Sequence, residues 1–205
     1  MHFIERPPRL YRWLFGSAIW RMPRLNHKCV YLTFDDGPIP GVTPWVLDVL
    51  RTQGVKATFF MVGENVLRNP DLLEQVKRGG HAVGNHSLSH IQGMKTDRIT
   101  FLNNVERGSE ITGSLLFRPP HGLMKPGQIR SVKKHSRLVM YDVVTRDYSR
   151  RLSPDDVIRN VKRFVRDGSV IVFHDSLKAW PNLRVALPEA IRWLKQQGYE
   201  FGIIG

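Results

Sequence analysis

The sequence contains one cysteine, Cys29, among its 205 residues. A single cysteine excludes an intramolecular disulfide and any metal site built from a cysteine cluster. No apolar run approaches the roughly 18 residues that a membrane-spanning helix needs. The sequence also has no internal repeat, low-complexity tract or clear linker, which favours a single folded domain.

Acidic residues are scarce as well. There are 18 aspartates and glutamates and 31 lysines and arginines, which gives a formal net charge of +13 at pH 7. The hydrophobic fraction of 41% is too high for a disordered chain, and the length is enough for one buried core. The positive charge suits a protein that binds nucleic acid, an anionic membrane surface or an acidic polymer, and composition does not choose among these classes.

Residues 1–27 are predicted to form a basic, amphipathic extension ahead of a domain that spans residues 28–205. The apolar stretch 13–20 is interrupted by Gly16 and Ser17, and no cleavage motif of small residues follows it, so it does not resemble a secretory signal. We therefore favour a cytoplasmic or membrane-peripheral location over secretion.

The extension is predicted to contain an amphipathic helix, for which two placements are open. The helix can cover one end of the domain, which is the commoner arrangement, or lie on an anionic membrane surface. Its apolar residues are Leu10, Tyr11, Trp13, Leu14, Phe15 and Ile19, and the arginines around it are Arg6, Arg9, Arg12, Arg21 and Arg24.

Short apolar runs alternate with helical patterns from residue 28 onward. The predicted strands cover residues 29–34, 57–62, 81–84, 115–117, 138–144, 169–173 and 199–204. Seven strands alternating with six helices favour an α/β protein with a parallel sheet. That sheet can close into a barrel or stay open and doubly wound.

Three of the six helices have a start signal in which a polar residue precedes a proline. A side-chain oxygen can cap a helix, and proline at the first helical position loses no hydrogen bond. The pairs are Thr43-Pro44, Asn69-Pro70 and Ser153-Pro154. The other helices are predicted over residues 99–111, 124–134 and about 184–197, with a kink or a start at Pro188 in the last.

Polar side chains suited to catalysis follow the predicted strands at their carboxyl ends. They are Asp35, Asp36, His86, Arg118, Asp147 and His174. Ligands bind at this edge both in α/β barrels and in open parallel sheets. We therefore expect a functional site there.

The pair His86 and His90 has metal-ligand spacing. Residues four apart fall on one face of a helical turn, although surface or capping histidines also show this spacing. A carboxylate from Asp35-Asp36 strengthens the case, because adjacent buried carboxylates need a cation or hydrogen bonds. Two histidines and one carboxylate leave positions open for water and substrate.

The two remaining polar segments supply charge stabilisation and a proton. The prolines at 119 and 120 carry no N–H, so the first free donor is the amide of His121, which suits an oxyanion. Arg118 can hold a carboxylate such as Asp35 by a bidentate pair. His174 can deliver a proton to a leaving group, with Asp147 at the right level to orient it.

Together these segments form five motifs in a fixed order. They are Thr33-Phe34-Asp35-Asp36-Gly37-Pro38, His86-Ser87-Leu88-Ser89-His90, Arg118-Pro119-Pro120-His121-Gly122, Arg146-Asp147-Tyr148 and Phe173-His174-Asp175. The set resembles the polysaccharide deacetylases of carbohydrate esterase family 4, over about Lys28 to Gly205. The resemblance implies a single distorted (β/α) barrel of about seven parallel strands, with the active site at their carboxyl ends.

The resemblance also implies a reaction and residue roles. The reaction is hydrolysis of N- or O-acetyl groups on sugars with a divalent metal, commonly zinc, with cobalt or nickel as alternatives. The implied metal ligands are Asp36, His86 and His90. The implied catalytic residues are Asp35 as base, His174 as acid, and Arg118 and Asp147 as their orienting partners. His121 would bind the oxyanion through its amide, and Tyr148 and Val172 would line the acetyl pocket.

Two motifs depart from the family pattern. His121 stands where the family often has tyrosine, and Val144 and Tyr148 stand where it often has aspartate and tryptophan. The departures leave Asp147 as the single expected partner of His174 and alter one wall of the acetyl pocket.

We therefore expect a metal-dependent hydrolase that removes acetyl groups, foremost N-acetyl, from a glycan such as peptidoglycan or an N-acetylglucosamine oligomer. One alternative is a basic protein that binds an anionic polymer or nucleic acid through a degenerate site. Nucleic acid is disfavoured, because every metal and proton-transfer position is intact. Another is a barrel hydrolase for a non-sugar amide. The surplus charge predicts peripheral contact with an anionic membrane or polymer, through the arginines of 6–24 and 130–166.

Overall fold

The structure, a computed structural model, describes residues 5–23 and 25–205, without the side chain of Arg9. The membrane or polymer contacts predicted for the Arg9 side chain and for Arg24 therefore fall outside the described part of the chain. Within them, the strands form one sheet, and each strand pairing is parallel. The strands are β1 (Cys29–Asp35), β2 (Thr58–Met61), β3 (Ala82–Asn85), β4 (Leu116–Phe117), β5 (Arg137–Leu138), β6 (Val143–Val144), β7 (Val170–His174) and β8 (Glu200–Phe201).

Strand β1 is the centre of this sheet. The strand order is β5-β4-β3-β2-β1-β7-β6, and β8 pairs with the start of β1. All seven residues of β1 are buried, as expected for a parallel strand covered on both faces. Its register pairs Asp35 with Phe60 of β2 and with His174 of β7. The register therefore sets Asp35 beside His174 at the carboxyl edge.

The sheet curls, because consecutive strands lie at its two opposite ends. β5 and β6 form the two edges, yet residues 139–142 alone connect them. Isolated bridges from Ile19 to Val139 and from Arg21 to Ser169 join the N-terminal segment to the sheet near these edges. The distorted (β/α) barrel of about seven parallel strands is confirmed.

The single strand predicted over 138–144 is wrong, because the segment divides into β5, which ends at Leu138, and β6, which begins at Val143. The side chain of Arg118 donates to the carbonyl oxygens of Val139 and Met140, and the Met140 amide donates to Ile19. Arg118 and Ile19 thus bond to backbone groups of Val139 and Met140 that a neighbouring strand would otherwise use.

Helices cover the outside of the sheet. They are α1 (Arg9–Phe15), α2 (Thr43–Thr52), α3 (Gly63–Arg68), α4 (Pro70–Arg78), α5 (Arg98–Thr112), α6 (Pro126–Val132), α7 (Pro154–Phe164) and α8 (Trp180–Gln196). The short helix α3 was not expected. α8 begins earlier than predicted and continues through Pro188. None of the described helices has both the length and the apolar composition needed to cross a bilayer.

One of the three predicted caps is confirmed. The Ser153 hydroxyl accepts from the Asp156 amide at the start of α7. The Thr43 cap is wrong, because Thr43 is the first residue inside α2 and its hydroxyl donates to Asp175 at 2.6 Å. Asn69 does occupy the predicted N-cap position of α4, but it makes no side-chain cap, because its side-chain amide donates back to the Asn65 carbonyl oxygen. In both cases the side chain bonds to a different partner, Asp175 for Thr43 and Asn65 for Asn69.

The N-terminal segment packs against the barrel. Phe15 and Trp20 are buried in the cluster that contains Phe117 of β4 and Leu138 of β5. The rings of Tyr11, Phe15 and Trp20 meet edge to face, with centroids 5.1 to 5.7 Å apart. One face of α1 therefore covers this part of the barrel. The division of the chain at residue 28 stays a prediction about folding units.

Candidate active site

The carboxyl edge of the sheet surrounds a cavity of about 260 Å³. Nine of the ten predicted site residues line it. They are Asp35, Asp36, His86, His90, Arg118, His121, Tyr148, Val172 and His174. The tenth, Asp147, is buried directly behind His174. The parallel register brings residues from distant parts of the chain to one edge, as the strand ends predicted.

Asp36, His86 and His90 form a compact donor set, whose ligand atoms lie within 4.8 Å of one another. The Asp36 Oδ1 atom is 3.2 Å from His90 Nε2 and 3.8 Å from His86 Nε2. The Nδ1 atom of His86 is 2.8 Å from the Arg118 carbonyl oxygen, the kind of outer partner that orients a ligating histidine. One carboxylate and two imidazoles suit a divalent cation such as zinc. The residues fit a metal.

The histidine pair does not lie on a helical turn, so that part of the sequence prediction is wrong. Residues 86–90 form an irregular loop in which Ser87 and His90 have φ angles of +67° and +54°. Asp36 and His121 also have positive φ, at +83° and +59°. Non-glycine residues adopt this region at an energetic cost, and such residues cluster at functional sites.

Asn85 and Gly108 hold this loop in place, and sequence reasoning missed both. The Asn85 side chain accepts from the Ser87 amide and donates to the Val105 carbonyl oxygen, each at 2.8 Å. A Cβ atom at Gly108 would lie 2.3 Å from Asn85 Oδ1 and 2.8 Å from the Ser87 carbonyl carbon. Helix α5 can approach the loop this closely because residue 108 is glycine. A glycine inside a predicted helix was the available signal.

Asp35 is held by Arg118, which is 2% exposed. The Nη1 atom of Arg118 is 2.7 Å from Asp35 Oδ1 and 2.7 Å from the Thr33 hydroxyl. The expected bidentate pair is wrong, because the other guanidinium nitrogens donate to the carbonyl oxygens of Val139 and Met140. The guanidinium carbon also lies 4.0 Å from the centre of the Phe60 ring. Arg118 therefore fixes one carboxylate oxygen and leaves the other facing His86.

His174 and Asp147 form a buried hydrogen-bonded pair. Asp147 accepts from the backbone amide of His174 through Oδ2 and lies 2.8 Å from its Nδ1 through Oδ1. Burial alone would lower the pKa of His174, but the charge and hydrogen bond of Asp147, aided by the charges of Asp36 and Asp35, outweigh it and raise that pKa to about 9. His174 is thus an imidazolium near neutral pH.

The metal-ligand residues have shifted pKa values as well. Burial would raise the pKa of Asp36, but the hydrogen bond from His90 and the nearby histidines hold it below its usual range. Burial lowers the pKa of His86 to about 4, against the opposing charges of Asp35 and Asp36. An ionised carboxylate and a neutral imidazole are the forms that bind a cation.

The remaining cavity wall combines an aromatic ring with an apolar strand. Tyr148 packs edge to face on His174, with ring centroids 4.8 Å apart. Val172 is buried beside them. Tyr141 and Lys178 also line the cavity, and neither was predicted. Tyr141 belongs to the segment that joins the two sheet edges, so its position at the rim depends on how the barrel closes.

Asp175 is a further residue without a predicted role, although it belongs to a motif. Its carboxylate accepts from the Gly37 amide at 3.0 Å and from the Thr43 hydroxyl at 2.6 Å. A Cβ atom at Gly37 would lie 2.0 Å from Asp175 Oδ2. Asp175 therefore fastens the turn that follows Asp36. Its partners lie over 130 residues away in sequence, so no local pattern predicts the contact.

The curled parallel barrel and the polar cluster at its carboxyl edge define an α/β barrel hydrolase. Comparison of the sequence with known families is consistent with this class. The sequence profile of the polysaccharide deacetylases matches residues 23–137. The chain belongs to the polysaccharide deacetylase family.

Curated relatives carry deacetylase names. A peptidoglycan-N-acetylglucosamine deacetylase of Bacillus cereus is 32% identical over 194 residues, covering 91% of this chain and 90% of that protein. A chitooligosaccharide deacetylase of Bradyrhizobium is 33% identical over 156 residues, covering 72% of this chain and 71% of that protein.

Solved structures share the fold. A crystal structure of a peptidoglycan N-acetylglucosamine deacetylase, in complex with an N-hydroxybenzamide, superposes with a TM-score of 0.85 at 31% identity. The match covers 95% of this chain and 94% of that one. The barrel and its strand order are therefore those of a known deacetylase fold.

Proposed function

We propose that the protein is a metal-dependent deacetylase that removes N-acetyl groups from a glycan such as peptidoglycan or an N-acetylglucosamine oligomer. One observation carries the proposal. A donor set of Asp36, His86 and His90 shares a single cavity with a buried carboxylate, Asp35, and a charged histidine, His174. Relatives named for these two substrate classes support it.

Asp36, His86 and His90 would hold the metal, with zinc as the expected ion and cobalt or nickel as alternatives. A divalent cation held there supplies Lewis acidity, which lowers the pKa of water and polarises a carbonyl group. The His86 Nδ1 contact with the Arg118 carbonyl oxygen keeps the Nε2 atom directed at Asp36.

Asp35 is the proposed base. Its Oδ1 atom is bound by Arg118, while its Oδ2 atom lies 4.0 Å from His86 Nε2, beside the metal ligands. In this position Oδ2 can take a proton from the water that attacks the acetyl carbonyl carbon. Arg118 keeps that oxygen oriented without entering the reaction.

His174 is the proposed acid, and its protonation state favours an amide substrate. An amine leaves poorly unless it receives a proton, whereas an alkoxide leaves an ester more readily. Because Asp147 holds the pKa of His174 at about 9, the imidazolium is present at neutral pH and can protonate the departing nitrogen. This charge state is the reason for placing N-acetyl ahead of O-acetyl groups.

The oxyanion and the acetyl methyl group complete the proposed substrate contacts. His121 follows two prolines and has a positive φ, and we assign its backbone N–H to the oxyanion. Tyr148 and Val172 form an apolar wall next to His174, and we assign the methyl group to it. The imidazole of His121 packs 4.7 Å from the ring of His90.

Metal analysis combined with acetate release tests the function. The panel contains N-acetylglucosamine oligomers, peptidoglycan fragments, an acetylated sugar ester and a cyclic amide. We expect one zinc ion per chain and acetate from the N-acetyl sugars. His86→Gln should lose both zinc and activity. The exposed His135 gives the matched control, and His135→Gln should keep both.

Three outcomes would contradict the proposal in different ways. Bound zinc with turnover of the cyclic amide alone would indicate a barrel hydrolase for a non-sugar amide. Salt-sensitive binding of an anionic polymer, without metal or acetate release, would favour a degenerate site in a basic binding protein. Acetate from the sugar ester alone would reverse the preference for N-acetyl groups.

A further inference from the structure

Helix α1 exposes an apolar face on the side opposite its buried one. Leu10, Trp13 and Leu14 are 72%, 75% and 51% exposed. Their spacing of three and four residues places them side by side on the helix surface. Scattered exposed apolar side chains are ordinary, but three large ones on two helical turns form a contiguous patch. We call these three residues the α1 apolar face.

The helix that carries this face is fastened to the barrel. The Tyr11 hydroxyl donates to the Gly122 carbonyl oxygen, and the Lys133 ammonium group donates to the Phe15 carbonyl oxygen. Phe15 is 1% exposed and packs edge to face on Trp20. Because the opposite side is held by these contacts, the α1 apolar face stays outward in the folded domain.

The surroundings of α1 carry surplus positive charge. Arg12 and Arg166 both pair with the single carboxylate of Asp142, so this cluster keeps a net charge. Arg6 is exposed just before the helix. The whole chain carries +13. Large apolar side chains with basic residues beside them are the composition of helices that lie in the interface of an anionic bilayer.

We propose that the α1 apolar face docks the domain on an anionic lipid surface. Trp13 and the two leucines insert at the boundary between headgroups and acyl chains, where tryptophan is favoured. Arg6, which is exposed just before the helix, contacts lipid phosphates. A second copy of the chain is a poorer occupant, because two copies of charge +13 repel each other. This inference stands independently of the catalytic proposal.

Docking through α1 also sets the distance between lipid and catalytic cavity. Gly122, which binds the Tyr11 hydroxyl, lines that cavity. The cavity wall therefore lies about one helix diameter, roughly 10 Å, from the exposed side of α1.

Vesicle sedimentation with the full chain tests the docking. The probes are vesicles of phosphatidylcholine alone and of phosphatidylcholine mixed with phosphatidylglycerol, at low salt. The face variant carries Leu10→Ser, Trp13→Ser and Leu14→Ser. The control variant removes three other exposed apolar side chains, by Leu67→Ser, Ile99→Ser and Leu115→Ser. Thermal unfolding verifies that both variants are folded.

We expect the wild-type chain to bind the anionic vesicles and to bind neutral vesicles far more weakly. The face variant should bind the anionic vesicles at least about tenfold more weakly, since burial of three large apolar groups is lost. The control variant should bind like the wild type. Equal binding by the face variant, or no binding by the wild type, overturns the proposal. A dimer that dissociates in the face variant, seen by ultracentrifugation, would assign the face to a second copy.

Discussion

Replacement of Asp147 by asparagine tests how the pKa of His174 is set. Asparagine keeps one side-chain oxygen, which can still accept from the backbone amide of His174 at the place of Oδ2. The negative charge is lost, and the atom 2.8 Å from His174 Nδ1 no longer attracts a proton. The variant therefore removes the electrostatic partner while keeping the contact with the His174 backbone amide, although the contact of the Tyr148 amide with Oδ1 is changed.

The structure gives the size of the effect. Burial lowers the pKa of His174, and Asp147 is the principal group that raises it to about 9 from the usual 6.5. Without Asp147 we expect this pKa to return to about 6.5, because the charges of Asp36 and Asp35 still oppose the effect of burial. At pH 8 the protonated fraction then falls from about nine-tenths to about one-thirtieth, a loss of roughly thirtyfold. Near pH 5.5 the histidine is mostly protonated in both proteins.

The pH profile of kcat/KM for acetate release measures this shift in the zinc-loaded enzyme. A general acid works only while it is protonated, so activity is lost as pH rises through the His174 pKa. In Asp147→Asn the alkaline limb should move down by roughly 2.5 pH units. A titration of His174 followed by NMR gives the same pKa without turnover.

Asp142→Asn provides the control. Asp142 is also a fully buried carboxylate, but its partners are Arg12 and Arg166, away from the cavity. The alkaline limb of the kcat/KM profile of Asp142→Asn should coincide with that of the wild type. If Asp147→Asn lowers the rate equally at every pH and leaves the limb in place, then Asp147 does not control the protonation of His174 and our reasoning is refuted.

Three further substitutions test packing around the site. Arg118→Ala should cost about 3–5 kcal/mol in urea unfolding, because Asp35 stays buried without its partner; a loss under about 1 kcal/mol would contradict this. Gly108→Ala pushes a methyl group against Asn85 and should weaken zinc binding by about 10- to 100-fold in chelator competition; unchanged affinity would count against the loop assignment. Trp20→Ala should cost about 3–5 kcal/mol in thermal unfolding, and a near-neutral result would show that the N-terminal segment adds little stability.

The sequence predicted the strand ends well, because buried parallel strands read as continuous apolar runs. The polar residue that ends such a run stands out, as Asp35 does at the end of β1 and His174 at the end of β7. Carboxyl ends of parallel strands share one edge. These two facts were sufficient to collect six site residues without knowledge of their distances, whereas Tyr148 and Val172 were implied by the family resemblance alone. The six are Asp35, Asp36, His86, Arg118, Asp147 and His174.

Contacts between residues that are far apart in the sequence could not be predicted from local sequence patterns. The loop at 86–90 has the spacing of a helix, but positive φ angles at Ser87 and His90 direct the histidines inward instead. The contact of Asp175 with Gly37 depends on the β1–β7 register. Sequence periodicity carries no information about such register, so these details come from the folded chain alone.

The hydrogen bonds of Arg118 make catalysis and barrel closure inseparable. One side chain binds Asp35 at the centre of the sheet and the carbonyl oxygens of Val139 and Met140, in the segment that joins the two edges. Any change that opens the barrel there also releases the carboxylate. Attempts to engineer a wider substrate cleft should therefore leave this seam intact, Tyr141 included, and alter the rim at Lys178 instead.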